Sequence, residues 1–276
     1  MKELFSIGPI HVYFFGLMIA IGIIAATIFS IKQAEKRGIS EDVILNVAMI
    51  VVISGVLGAR LFYILFYNPS FYFSNPWEII KITEGGLSIH GGIFSAIVAG
   101  YIYCIKSKIS FLKIADIAVM GIALAQGIGR VGCDVFGKPM ANIMPWGINY
   151  NGQVLHPAQV YEFILDYVLF IILWRRSYKK KFEGELFVIY LIAFPIIRGI
   201  VEFFRINPVV WGPFSVSHLL SLALVIIGLV VYKLISDRST EKIDNPIENG
   251  VNLRTSVFYL AALIIVSISI FYSVQG

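Results

Sequence analysis

From Gly8 to Ile31 the chain carries no ionised side chain, and seven more long apolar stretches follow, at about 43–67, 87–105, 111–131, 158–174, 184–204, 216–235 and 255–274. A bilayer is the solvent that accepts such blocks, since a helix crosses its hydrocarbon core with roughly 17–25 mainly apolar residues. Charge is scarce to match: 14% of the 276 residues are Asp, Glu, Lys or Arg and 58% are hydrophobic, against about 25% charged in an ordinary soluble domain. The first stretch is too long for the apolar region of a leader and lacks a small-residue cleavage site after it, so it reads as a span. The expected fold is all-α, a polytopic integral membrane protein of about eight transmembrane helices.

The net charge of +5 points to basic loops rather than to nucleic acid. With the first loop placed in the cytoplasm, the odd-numbered loops hold 15 Lys and Arg and the opposite side holds Lys2, Lys81, Lys138 and Arg205. This is the asymmetry of cytoplasmic loops, and it predicts that both termini lie outside, Gly276 included. Asn68 to Trp77 reads as an interfacial loop, Cys133 to Pro157 as a longer one, and Ser236 to Thr255 as a polar linker. The organisation read from this is a membrane domain over 1–235, then 236–276 as linker and additional helix. Cys104 and Cys133 show no metal-ligand spacing, so no metal or cofactor is expected.

Ionisable residues inside spans are costly and call for a function or a partner. Here most gather toward one end of their segments: Arg60, His90, Arg130 followed by Asp134, Glu162 after His156, and Arg198 with Glu202. Arg198, Glu202 and Arg205 share one helical face by their spacing, as do Glu162 and Asp166. A buried ion pair that only fixes helix packing accounts for the first set as well as a binding site does. Glycines bracket His90 (Gly85, Gly86, Gly91, Gly92) and Arg130 (Gly127, Gly129, Gly132, Gly137). Small residues let helices pack closely, which is the plain alternative, and broken backbone at membrane depth survives where it is buried or lines a wet cavity; a cavity open to the outer leaflet is expected. Arginines there can grip a phosphate in a bidentate fork. The phosphate available at that depth is a phospholipid headgroup, and spacing leaves open whether the protein reacts with lipid or moves it.

In order along the chain stand Ser6-Ile-Gly-Pro, Gly16-Leu-Met, Leu65-Phe-Tyr-Asn, Gly85-Gly-Leu-Ser-Ile-His-Gly-Gly, Gly129-Arg-Val-Gly, His156-Pro-Ala-Gln-Val-Tyr-Glu and Arg198-Gly-Ile-Val-Glu-Phe-Phe-Arg. Together these resemble the prolipoprotein diacylglyceryl transferase family over about Ser6 to Lys233. The resemblance implies an enzyme of the bacterial plasma (inner) membrane. It would move the diacylglyceryl group of phosphatidylglycerol onto the thiol of a lipobox cysteine in a preprolipoprotein, releasing glycerol phosphate. It implies catalytic roles for His90, Arg130, Arg198 and Glu202. Substrate contacts are expected from Arg60, Gly91, Gly92, Asp134, Gly137, His156, Gln159, Tyr161, Glu162 and Arg205. The partners implied are phosphatidylglycerol, preprolipoproteins and membrane lipids, with no nucleic acid. For the thiol's general base, His90 has Asp134 and Glu202 as rivals. The chain departs from the family pattern at Cys133, where Asn is usual, at Asp134, which falls where a Glu would align, in a shorter signature loop, and in the eighth segment. Another acceptor, a lipid transporter and a non-catalytic lipid-binding relative are the competing readings.

Overall fold

The computed structural model describes residues 2–8, 10–82, 85–238 and 250–275. Residues 239–249 of the polar linker and Gly276 lie outside the described residues. The elements run β1 (Glu3–Ile7), β2 (Ile10–Tyr13), α1 (Phe14–Glu35), α2 (Glu41–Tyr67), α3 (Pro69–Ser74), a 3-10 turn (Pro76–Ile79), α4 (Ile89–Lys106), α5 (Phe111–Val131), β3 (Ile148–Tyr150) and β4 (Gln153–Leu155). They continue with α6 (Ala158–Arg176), α7 (Glu185–Glu202), β5 (Val209–Trp211), β6 (Phe214–Ser215), α8 (Val216–Arg238) and α9 (Leu253–Gln275).

All eight apolar stretches are helical. Six of them, α1, α2, α4, α5, α8 and α9, are long and apolar enough to cross a membrane. The expected count of eight needs qualifying at α6 and α7. Both are long helices, but Glu162, Asp166, Arg175 and Arg176 on one and Glu185, Arg198 and Glu202 on the other interrupt the apolar run. The beginning differs too: the first stretch opens with the antiparallel β1–β2 hairpin, and its helix starts only at Phe14. The Asn68–Trp77 segment is the short α3 and the 3-10 turn, each opened by a proline, the position where a missing N–H costs least.

The chain divides into two compact units, Met1–Ser30 with Ala115–Gly276, and Ile31–Ile114. In the second unit α2 packs along α4, backbone close to backbone. A Cβ on Gly91 would strike the Phe62 side chain and the Gly58 carbonyl, and one on Gly92 would lie 3.2 Å from the Gly55 carbonyl. These glycines therefore serve helix approach, and α4 starts before them, capped by Ser88, whose hydroxyl accepts from the Gly91 N–H.

In the first unit α6 is the central element: Gln159, Glu162, Phe163, Asp166, Tyr167 and Leu173 are all sealed, with α7 and α9 against it. Met120, Ala123, Val131, Leu186 and Phe271 complete the core. α8 instead leaves Leu222, Ile226, Leu229 and Val230 about half exposed, an apolar surface suited to lipid. α5 runs unbroken through Gly127, Gly129 and Arg130, so the break expected there is absent; Gly127 is small because Tyr167 packs directly on it. The loop after α5 folds into the β3–β4 hairpin around Asn151-Gly152, both with positive φ (50° and 80°), as a tight right-twisted hairpin turn requires.

Charges sort to the two ends of the α5–α6–α7 set. At one end the buried Asp116 accepts from Lys180 Nζ (2.9 Å) and from the N–H groups of Gly184 and Phe187 (both 3.0 Å). Beside it Arg176 pairs with Glu185. Residues of the opposite ends, Arg130, Glu162, Arg198 and Glu202, form the candidate site.

Candidate functional site

Glu162 lies one turn into α6 with a side chain only 1% exposed. Arg130, at the last turn of α5, places Nη2 2.9 Å from its Oε1; Arg198, on α7, places Nη1 3.6 Å from its Oε2. Arg198 reaches on to Glu202 (Nη2 to Oε2, 3.2 Å), and Arg205 Nε stands 3.9 Å from the same oxygen. Three guanidiniums are thus strung along two carboxylates. The contacts to Glu162 are electrostatic rather than aligned hydrogen bonds, and Arg198 Nη1 is buried with no hydrogen-bond acceptor among the described residues. A buried donor without an acceptor costs about 1–3 kcal/mol. An anion's oxygen would relieve that cost, and a chain with one more cation than anion favours a single negative charge beside it.

Glu202 is held on its other side as well. Its Oε1 accepts from Ser215 Oγ (2.7 Å) and Asn207 Nδ2 (2.6 Å), and His218 Nδ1 in turn accepts from the Ser215 N–H (3.0 Å). Sequence reasoning missed Asn207, Ser215 and their tie to His218. They sit in the irregular stretch beyond α7, where no periodicity marks a contact.

The segment that follows Arg130 is pinned by Gln159, whose Nε2 donates to the Cys133 carbonyl (3.1 Å), while Arg130 Nη1 faces Cys133 Sγ at 3.9 Å. Gly137 sits where two backbones meet. Its N–H donates to the His156 carbonyl (2.8 Å), and a Cβ there would collide with the carbonyls of Phe204 and His156. The next N–H, of Lys138, donates to the Phe204 carbonyl (2.8 Å), which ties this loop to the end of α7 beside Arg205.

His156, Tyr161 and Phe204 form an aromatic group with ring centroids 5.1–6.0 Å apart. The Tyr161 hydroxyl is 3.1 Å from His156 Nδ1 and accepts from Trp146 Nε1 (3.1 Å). These four residues, with Ala141, Asn142 and Met144, line a cavity of about 470 Å³. His156, in the loop before α6, has its pKa lowered by burial and then by Lys138. Trp146 and Phe204 are further residues that the spacing did not single out.

Arg60 and His90 belong to the other unit. Arg60 is 7% exposed, and its fork is occupied by main-chain carbonyls: Nε donates to Ile79 (3.0 Å), Nη1 to Gly85 (2.8 Å) and Gly86 (3.1 Å), and Nη2 to Glu78. With the Tyr72 ring 5.1 Å from its guanidinium, it pins the segment between α2 and α4. His90 stands in the first turn of α4, next to Gly91 and Gly92.

Fold and site together define a class: polytopic helical membrane proteins that carry a partly buried arginine–carboxylate chain fit for an anionic group. Comparison with known proteins gives the class its family. Residues 2–234 match the family model described as prolipoprotein diacylglyceryl transferase. A protein of Clostridioides difficile (strain 630) is 37% identical over 87% of this chain and 97% of its own length. One of Finegoldia magna is 35% identical over 86% and 98%, and one of Geobacter sulfurreducens 35% identical over 85% and 95%. All three are named phosphatidylglycerol–prolipoprotein diacylglyceryl transferase. The chain belongs to the prolipoprotein diacylglyceryl transferase family, and with it to the membrane transferases of lipoprotein biosynthesis.

Proposed function

We propose that this protein transfers the diacylglyceryl group of phosphatidylglycerol to the cysteine thiol of a preprolipoprotein lipobox. The sulfur bonds to the glyceryl carbon of the diacylglyceryl group, that carbon's bond to the phosphate oxygen breaks, and glycerol phosphate departs with the electron pair. The thiol proton passes to a base.

The observation that carries this reading is the ion chain Arg130–Glu162–Arg198–Glu202–Arg205. Its excess positive charge matches the single charge of a phosphodiester, and charge grows on that phosphate as the ester bond breaks. Preformed cations aimed at developing charge lower the barrier without reorganisation. Arg130 and Arg198 are assigned to the phosphate, Glu162 and Glu202 to holding the guanidiniums in place. His90, which the motif match aligns with the family's His-Gly-Gly histidine, is the proposed base, with Asp134 and Glu202 as its rivals. The cavity beside Tyr161 and His156 is assigned to substrate. The membrane is read as a bacterial plasma membrane, crossed by the six apolar helices and by α6 and α7 with their charged residues, and the excess of Lys and Arg in alternate loops supports both termini outside.

The test is purified protein in phosphatidylglycerol vesicles with a lipobox peptide. Glycerol phosphate should appear only when peptide is present, and phosphatidylcholine vesicles should release no phosphocholine. Release without peptide would make the protein a lipase and refute the transfer.

A further inference from the structure

The last helix, α9, lies outside the family match, which ends at residue 234. An added helix of no consequence for the site would pack through apolar contacts and end in solvent or lipid. α9 does not. Phe271 is fully buried, edge-on to Phe163 of α6, and Ser267 Oγ lies 2.7 Å from the Tyr167 hydroxyl. Beyond these anchors its final turn carries polar side chains to two segments that flank the site. The Tyr272 hydroxyl donates to the Trp146 carbonyl (2.5 Å), and Gln275 Nε2 donates to the Val131 carbonyl (3.1 Å). Val131 ends α5, where carbonyls lack a helical partner, and it follows Arg130 directly. Trp146 donates to Tyr161 and lines the cavity.

We propose that Tyr272 and Gln275 are positioning residues: α9 fixes the cavity wall through Trp146 and the Arg130 turn through Val131. This rests on the proposed function for its kinetic reading. Neither side chain needs to touch substrate. Tyr272 acts through the segment 141–147, which is also held by Gly147 N–H to the Met144 carbonyl and by Trp146 Nε1 to the Tyr161 hydroxyl. Gln275 acts through the peptide group that sets the direction in which the chain leaves α5.

The experiment uses the full chain in nanodiscs, comparing Tyr272→Phe, Gln275→Leu and, as a control on the same helix, Ser267→Ala. Tyr272→Phe keeps the ring and removes one hydrogen bond, worth roughly a three- to ten-fold effect. KM for the substrate that occupies the cavity should rise by roughly that factor while kcat holds, and amide hydrogen exchange over 141–147 should quicken. Gln275→Leu should quicken exchange at 131–133. Ser267→Ala should lower the thermal midpoint and leave KM and both exchange rates alone. A Tyr272→Phe protein with unaltered KM and unaltered exchange overturns the inference, as does one that merely yields less active enzyme. Should the wild type show no transfer at all, the functional reading fails, and exchange at 141–147 alone then decides: quicker exchange upholds the positioning role and unchanged exchange overturns it.

Discussion

Replacing Glu162 with Gln should damage the site more than any other isosteric change. Gln keeps the volume and one oxygen but removes the charge that faces two arginines. At an effective dielectric of about 20, the Arg130 contact at 2.9 Å corresponds to about 6 kcal/mol and the Arg198 contact at 3.6 Å to about 5 kcal/mol. Those sums are upper bounds. The Arg130 and Arg198 side chains keep 30% and 23% of their exposure, so water recovers part of the loss, and Arg198 retains Glu202 at 3.2 Å. Breaking a buried pair from one side costs about 3–5 kcal/mol; with this solvation the lower end applies, about 3 kcal/mol. If the displaced arginines hold the phosphate, kcat/KM should fall on the order of a hundred-fold. The assay is glycerol phosphate release by detergent-purified variant and wild type at matched amounts of folded protein, with the thermal midpoint followed in parallel. Asp166→Asn is the comparison: Asp166 is equally buried one turn deeper, but among the described residues no arginine stands within 4.0 Å of it as Arg130 and Arg198 do of Glu162, so its replacement should cost far less. A Glu162→Gln enzyme within about three-fold of wild type would refute the reasoning that this carboxylate organises the site.

Two other outcomes follow from single residues. Asp116→Ala strands Lys180 and two N–H groups at the end away from the site; it should cost at least about 3 kcal/mol of stability and leave kcat/KM per folded molecule nearly unchanged, checked by thermal unfolding and by turnover. His156 titrates below its ordinary 6.5 in the folded protein, so the unfolded chain takes up its proton first. Stability is then complete above about pH 6.5 and falls as pH drops through the folded pKa, and His156→Gln should flatten that fall in a series of midpoints between about pH 7.5 and pH 5.

The helices were legible because the apolar blocks admit no other solvent, and the spacing of Arg198, Glu202 and Arg205 was enough to put them on one face. Spacing also showed Glu162 and Asp166 as neighbours but not that Glu162 would take arginines from two different helices, because a tertiary pair leaves no periodic trace. The glycines misled for a physical reason. A Gly that lets helices touch and a Gly that breaks a helix look alike in sequence; Gly91 and Gly127 prove to be of the first kind, while Gly85 and Gly86, with φ of 94° and 74°, break the chain before α4. Trp146, Asn207, Ser215 and Tyr272 stayed hidden because each acts from a loop, a short strand or a helix end through hydrogen bonds that leave no periodic trace.

The central claim is that a thiol and phosphatidylglycerol meet on this protein and leave as a thioether. Purified protein, phosphatidylglycerol and a peptide with one lipobox cysteine should give a peptide heavier by one diacylglyceryl group, its mass tracking the acyl chains supplied and the modification confined to the cysteine. A peptide that keeps its mass while the wild-type enzyme is folded, or one from which mild base removes the whole added group instead of leaving a glyceryl thioether on the cysteine, contradicts the account.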